Sequence, residues 1–338
     1  MKAVLKHVAL RGAELSGATR LVAGSAWRRR RVLILCYHGV SVRDEHQYNP
    51  ELYVSPSHLR RRFDLLRTMG ATVLPLAEAL QRTAAGSLPD RAVVLTFDDG
   101  AANFASQAVP LLREFGYPAT VYVTTYYVTH QYPVWNIAAR YLAWQARARP
   151  LPGRDALQGL VDPAQLPASF TRADLIGAFL GHWSQASTLD KDQAVGQLAR
   201  VLGVPDEPMR SARLCHLMTP EEVAALPAPL VSVELHTHRH IQPESRNGFA
   251  GEIRENQRLL AEMTGRTPLQ YCYPSGVVHP SFPGYLRELG IESATTCEPG
   301  LTGAATDRML APRLIDTMLT PDSTFRGWVS GTAALLSR

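Results

Sequence analysis

The feature that most constrains this chain is the alternation of short, continuously apolar runs with amphipathic helical stretches. Arg31–Tyr37, Ala92–Phe97, Thr120–Val123, Val231–Leu235, Leu269–Tyr273 and Glu292–Thr296 read as strands, with Ala71–Leu74 and Leu314–Asp316 as shorter ones. Helical patterns at 56–69, 76–85, 101–115, 249–263 and 280–289 fall between them. Strands separated by helices build parallel βαβ units. A run such as Val93-Val94-Leu95, with no polar alternation, suits a sheet covered on both faces. At 338 residues and 46% apolar, the chain is long enough for two ordinary domains or one large α/β barrel.

Between about 128 and 227 the pattern changes to Ala, Leu and Gln with scattered Pro and no strand-like run. Asp155, Thr171, Thr188 and Thr219 read as helix N-caps, and Thr219-Pro220-Glu221-Glu222 combines a cap, a first-turn proline and early acids. This stretch is expected to be a helical insertion on one loop of the barrel.

The net charge of +5 is unevenly placed. Residues 1–31 carry eight basic side chains (Lys2, Lys6, Arg11, Arg20 and Arg28, Arg29, Arg30, Arg31) against Glu14 alone, so the remainder is slightly acidic. A nucleic-acid reader carries its basic residues, with interleaved aromatics, across its body; this chain is expected to bind no nucleic acid. The domain division is therefore a basic helical arm over 1–30 and a barrel over 31–338. Val4, Leu5, Val8, Leu15, Leu21 and Val22 with intervening basics would make an amphipathic helix, either on an anionic membrane surface or docked on the protein's own body.

Lys6, His7, Arg11, Glu14 and Arg20 interrupt the apolar core a secretory signal needs, and no run approaches the length of a spanning helix. Cys36, Cys215, Cys272 and Cys297 are widely separated and form no C-x-x-C pair, which suits buried free thiols in a reducing compartment. The expected location is cytoplasmic, with membrane association on the cytoplasmic face.

Three clusters sit at strand ends, where barrels carry their functional groups. Thr96-Phe97-Asp98-Asp99-Gly100 places two adjacent carboxylates after one strand; an ordinary acidic turn is its other reading. Glu234-Leu235-His236-Thr237-His238-Arg239-His240 places three histidines after another. His236 and His240 converge on one ion if the backbone makes a helical turn there, whereas His238 points away. Leu35-Cys36-Tyr37-His38-Gly39-Val40 adds a histidine after the first strand. One carboxylate and two histidines leave open positions on a divalent metal. A second carboxylate and a third histidine then supply a base and an acid, the equipment of metal-assisted amide or ester hydrolysis.

These residues resemble the polysaccharide deacetylase family, which includes nodulation-type chitooligosaccharide deacetylases. Thr96-Phe97-Asp98-Asp99-Gly100 is similar to its first motif, T-F-D-D-G, and His236-Thr237-His238-Arg239-His240 to its second, H-[S/T]-x-x-H. Tyr271-Cys272-Tyr273-Pro274-Ser275-Gly276 resembles the third, usually F-R-P-P-Y-G. The resemblance spans about 31–317 and implies a distorted (β/α) barrel, here of about seven strands and TIM-like, with the insertion between the first two motifs. It implies Asp98 as general base, Asp99, His236 and His240 as metal ligands (zinc being the expected ion), and the Ser275 backbone N–H as oxyanion donor.

Two positions depart from the family pattern. Cys272 replaces the arginine that pairs with the base, and Arg313 is the candidate substitute. No histidine follows His279, so the late histidine that serves as acid in many members is absent. Tyr37-His38 is similar to the N-terminal Tyr-His motif of the poly-N-acetylglucosamine deacetylase branch, which implies His38 as the acid. The expected function is metal-dependent removal of N-acetyl groups from an amino sugar, in a glycan or glycan precursor during polysaccharide biosynthesis. A non-haem iron oxygenase built on the two-histidine, one-carboxylate set, or a catalytically silent glycan-binding protein, are the alternatives.

Overall fold

The computed structural model describes residues 10–13 and 16–336. The strands, in chain order, are β1 (Arg31–Tyr37), β2 (Gly39–Val40), β3 (Tyr53–Val54), β4 (Thr72–Val73), β5 (Ala92–Phe97), β6 (Ala119–Val123), β7 (Val231–Leu235), β8 (Gln270–Cys272), β9 (Ser293–Thr295), β10 (Thr302–Gly303) and β11 (Leu314–Ile315). Strands β1, β5, β6, β7, β8 and β9 pair side by side, all parallel. The segment after β10 joins the two edges: Ala311 bridges to Thr295 of β9, and β11 pairs in parallel with Leu35 and Cys36 of β1. Seven parallel strands thus curl into a distorted barrel, with short β4 and antiparallel β10 as outliers.

Period-two alternation gives each strand an outward and an inward row. Leu33, Leu35 and Tyr37 of β1 and Val93, Leu95 and Phe97 of β5 pack outward with Leu59, Phe63 and Leu66 of the helix Pro56–Thr68. The opposite row begins with Val32, Ile34, Ala92 and Val94, which form a separate buried cluster with Tyr122 and Cys272. Further up, this row turns polar: Thr120 bonds Ser232, Ser293 bonds Gln270, and Thr295 bonds Tyr122. The interior therefore changes from aliphatic to polar along the axis, ending at Asp98 and His236.

The stretch between the first two motifs is helical, with Trp135–Gln145, Arg172–Trp183 and Thr188–Leu202 as its longest helices. These helices bury a core of their own around Leu142, Phe179, Val195 and Leu198. Thr171 and Thr219 each close a capping box, but Ser187 rather than Thr188 caps the third helix. Asp155 lies inside a 3-10 turn whose cap position is Gly153. In both misassigned cases the cap is set by which residue first leaves helical dihedrals, and neighbouring polar residues do not reveal that. The helix over 101–115 begins as a π turn, Phe104–Ala108.

Among the described residues no helix is long and apolar enough to cross a membrane. Lys2, Lys6, Val4, Leu5, Val8, Glu14 and Leu15 of the amphipathic arm lie outside the described residues. Arg28 is not part of a basic surface. It is fully buried at the N-terminal end of the barrel, where Nε donates to the Val329 carbonyl (2.9 Å), Nη1 to Arg31 (2.6 Å) and Nη2 to Ala92 (3.2 Å). Burial, reinforced by Arg91, brings its pKa down to about 10, so it stays charged and ties the arm to the strand starts. Leu10 is buried in the main core beside Gly327, so this part of the arm docks on the body.

Removing the Arg28 side chain strands three carbonyl partners, and leaving a buried polar group unpaired costs about 1–3 kcal/mol. Arg28→Ala is expected to lower unfolding stability by about 2–3 kcal/mol in urea denaturation, whereas exposed Arg30→Ala changes it by no more than about 0.5 kcal/mol.

Candidate metal and acid–base site

Asp98 follows β5 on the interior row, and its backbone N–H donates to the Tyr37 carbonyl (2.9 Å), locking the ends of β5 and β1 together. Its carboxylate is 3% exposed and receives both guanidinium arms of Arg313: Nη1 to Oδ1 at 2.7 Å and Nη2 to Oδ2 at 2.8 Å. Arg313 is itself fully buried, with Nε on the Thr296 carbonyl (2.9 Å) and Nη1 on Thr96 Oγ1 (3.1 Å). Burial alone would raise the Asp98 carboxyl, but Arg313, with His38 and His236 beside it, holds it well below the usual carboxylate range.

Cys272 does not fill the place of an arginine; its Sγ lies 3.0 Å from Arg313 Nη2 and 3.5 Å from Asp98 Oδ2. Cys36 approaches the same oxygen at 3.4 Å. Cys297 is only half-buried, unlike the other three thiols, and stands 3.8 Å from Arg313 Nη2.

Asp99 turns the other way. Its φ of 72° is left-handed, as is that of Gly100, where an added Cβ would meet Val123 at 2.9 Å. Only glycine tolerates both the conformation and the contact at that position. The turn swings Asp99 Oδ1 to 3.3 Å from His236 Nε2 and 3.4 Å from His240 Nε2. The histidines do converge, but not through a helical turn: left-handed Thr237 (φ 62°) and His240 (φ 59°) fold the chain back. His236 Nδ1–H donates to the Cys272 carbonyl (2.9 Å), which leaves Nε2 facing Asp99, as a lone pair for a cation or, when protonated, as a donor to the carboxylate. Asn256, from the helix Arg246–Thr264, accepts the His236 N–H (2.9 Å) and donates to the Val123 carbonyl and Thr125 Oγ1. His238 points away and pairs with Thr125 Oγ1 at 2.9 Å.

A lone pair and a carboxylate facing each other need a proton or a cation between them. The nitrogen and oxygen atoms of Asp99, His236 and His240 lie within 4.8 Å of one another, a donor set that fits a divalent ion. Burial would raise the Asp99 carboxyl, yet the His236 hydrogen bond and His240 hold it well below its usual value. Two other groupings, Cys36–His38–Asp98 and Asp98–His236–Cys272, share Asp98, whose oxygens already face a guanidinium that would repel a cation. The Cys36 thiol is also pushed well up by burial and so stays protonated.

His38 Nε2 stands 3.9 Å from Asp98 Oδ2, on the open side of the site. Ser275 sits in a turn with a left-handed φ of 57° and lines the same cavity of about 460 Å³ as His38, Asp98, Asp99, His236 and His240. The structure thus gathers every candidate residue around one cavity, apart from Arg313 buried beneath it. Sequence reasoning missed Asn256, Cys36 as a neighbour of Asp98, and the cavity wall formed by Trp135 and His216. A lone asparagine in a long helix carries no local signal of what it braces.

Residues 85–149 match the family model described as polysaccharide deacetylase. A curated relative, the poly-beta-1,6-N-acetyl-D-glucosamine N-deacetylase of Escherichia coli K12, is 34% identical over 100 residues, 29% of this chain and 15% of that protein. The alignment therefore spans about one-seventh of the relative's length. A de-N-acetylase from Aggregatibacter actinomycetemcomitans superposes with a TM-score of 0.57 at 17% identity, covering 88% of this chain and 99% of that one. The deacetylase PplD of Streptococcus pyogenes gives 0.56 at 16%, covering 86% and 94%. IcaB of Ammonifex degensii gives 0.53 at 17%, covering 89% and 97%. These likenesses establish the fold.

Breaking a buried ion pair by removing one partner costs about 3–5 kcal/mol. Arg313→Met and Asp98→Asn are each expected to destabilise the fold, with the double variant losing less than the two single losses together. Additive losses in a denaturation cycle would mean that the two groups do not act as a pair.

Proposed function

We propose, from the match of residues 85–149 to the polysaccharide deacetylase family model, that the chain hydrolyses N-acetyl groups from an amino sugar with a divalent cation held by Asp99, His236 and His240. The observation that carries this reading is the division of labour within one dipeptide: Asp99 faces two imidazoles while Asp98 faces away, ionised on Arg313. A divalent ion at that cluster, zinc being the expected one, would polarise the acetyl carbonyl and lower the pKa of a water toward about 7.

The remaining work belongs to the chain. Asp98 takes the proton from the attacking water, and Arg313 keeps the carboxylate ionised and oriented for it. Ser275 lines the same cavity, and its backbone N–H serves as the oxyanion donor; such donors contribute about 3–4 kcal/mol each in other hydrolases. His38, at the cavity edge, gives its proton to the departing amine. A base and an acid beside a ligand cluster serve hydrolysis and have no evident use in oxygen activation. The poly-N-acetylglucosamine relative and the N-terminal Tyr37-His38 pair support N-acetylglucosamine as the sugar.

Acetate release from a panel of N-acetylated sugars tests the proposal. Asp98→Asn and His38→Ala are expected to lose at least about 10²-fold in kcat with metal content unchanged, and Asp99→Ala and His236→Ala to lose the metal itself. Release that survives chelation, or no release across the panel from metal-loaded protein, would overturn it.

A further inference from the structure

The cavity at the site has two walls of different origin. One is the rim of strand ends described above. The other comes from the helical segment between the motifs: Trp135 and Ile137 from its start, Leu214, His216 and Leu217 from its end. The two ends are joined, since the Val134 N–H donates to the Cys215 carbonyl at 2.7 Å. The same stretch is bonded to the loop that carries both aspartates. The Ala102 N–H donates to the His216 carbonyl, the Met218 N–H donates to the Gly100 carbonyl, both at 2.9 Å, and Ala101 bridges to Leu217. The wall therefore stands at a fixed distance from Asp98 and Asp99.

Its chemistry is apolar apart from Asn136 and His216, and of the two only the imidazole has a buried nitrogen left unpartnered. His216 Nδ1 is buried without a hydrogen-bond partner among the described residues. Burial, with Arg213 and Arg210 nearby, brings this imidazole's pKa down to about 4, so the ring is neutral where an enzyme works. A neutral imidazole offers one donor and one acceptor, which matches a hydroxyl group. Trp135 and Tyr53 add aromatic surface on which the C–H faces of a sugar ring pack. The one guanidinium among the lining side chains, Arg239, is already paired with Glu252 at 3.2 Å. The wall thus offers hydrogen bonding and apolar contact but no free guanidinium or ammonium for a phosphate or carboxylate.

We infer that His216 is a positioning residue that hydrogen-bonds a hydroxyl of an uncharged N-acetylhexosamine unit, setting its acetamide against the Asp99–His236–His240 cluster. This rests on the deacetylase reading and extends it by assigning the helical segment the role of sugar selection. Away from the ligand cluster and His38, a phosphate on the sugar would meet only Arg239, whose guanidinium is already paired with Glu252.

Steady-state kinetics on an N-acetylglucosamine disaccharide provides the test. His216→Leu is expected to raise KM about 2–10-fold with kcat little changed, and His216→Gln, which keeps a donor and an acceptor, to restore most of it. The wild type is expected to favour methyl N-acetylglucosaminide over N-acetylglucosamine 1-phosphate in kcat/KM. Equal effects of Leu and Gln, a loss confined to kcat, or a preference for the phosphate would overturn the inference. If the wild type releases no acetate, titration calorimetry with the same disaccharide separates the two ideas. Binding weakened by His216→Leu and restored by His216→Gln upholds the sugar wall while the hydrolytic reading fails. No binding by the wild type, or binding indifferent to position 216, overturns the wall itself.

Discussion

The structure depends on one buried ion pair. Asp98 and Arg313 face each other inside the barrel with almost no solvent contact, and neither charge would be stable there alone. Arg313 lies between Ala311, which bridges to β9, and β11, which pairs with β1. The strand segment that closes the ring therefore also delivers the countercharge. Closure of the barrel and ionisation of the carboxylate are consequences of the same packing, and a polar upper interior of Thr96, Thr120, Ser232 and Thr295 surrounds them.

The adjacency of two acids is otherwise a difficulty, because like charges one residue apart repel. The chain resolves it by geometry. Period-two alternation sends Asp98 inward with Thr96, and the left-handed turn at Asp99 sends the next carboxylate to the imidazoles. Each acid then has its own source of positive charge or donors. Left-handed residues recur at Thr237, His240 and Ser275 around the same site, and Asn256 anchors the backbone at His236 where the first of these turns begins.

Much of this was legible in the sequence for a physical reason: motifs at strand ends are contiguous, and the strand period fixes which residues share a face. The strands β1, β5 and β7 fall on the apolar runs from which they were expected. Contacts made across the barrel leave no such trace. Arg313 reaches Asp98 from 215 residues away, and only the departure of Cys272 from the motif it resembles hinted at a partner elsewhere. His240 was placed on the ion through a helical turn that the left-handed backbone does not make, and the two-residue β10 has no pattern long enough to read. Arg28 looked like one member of a basic run, yet its donors are spent on carbonyls at the barrel floor.

The thiols beside the ion pair show how the barrel interior accommodates an arginine delivered by the closing segment. Cys272 Sγ touches Arg313 Nη2 at 3.0 Å, Cys297 Sγ lies 3.8 Å from the same nitrogen, and Cys36 Sγ lies 3.4 Å from Asp98 Oδ2. An arginine at 272 would have to occupy the volume that the Arg313 guanidinium fills, so one site excludes the other. Once the cation comes from the closing segment, β8 needs only a small, weakly polar side chain that accepts from a guanidinium and packs against the barrel interior. Cysteine meets that requirement without adding a charge to balance. The Cys272 carbonyl meanwhile orients His236, so this strand end holds the ligand cluster through its backbone while the guanidinium that holds Asp98 comes from Arg313.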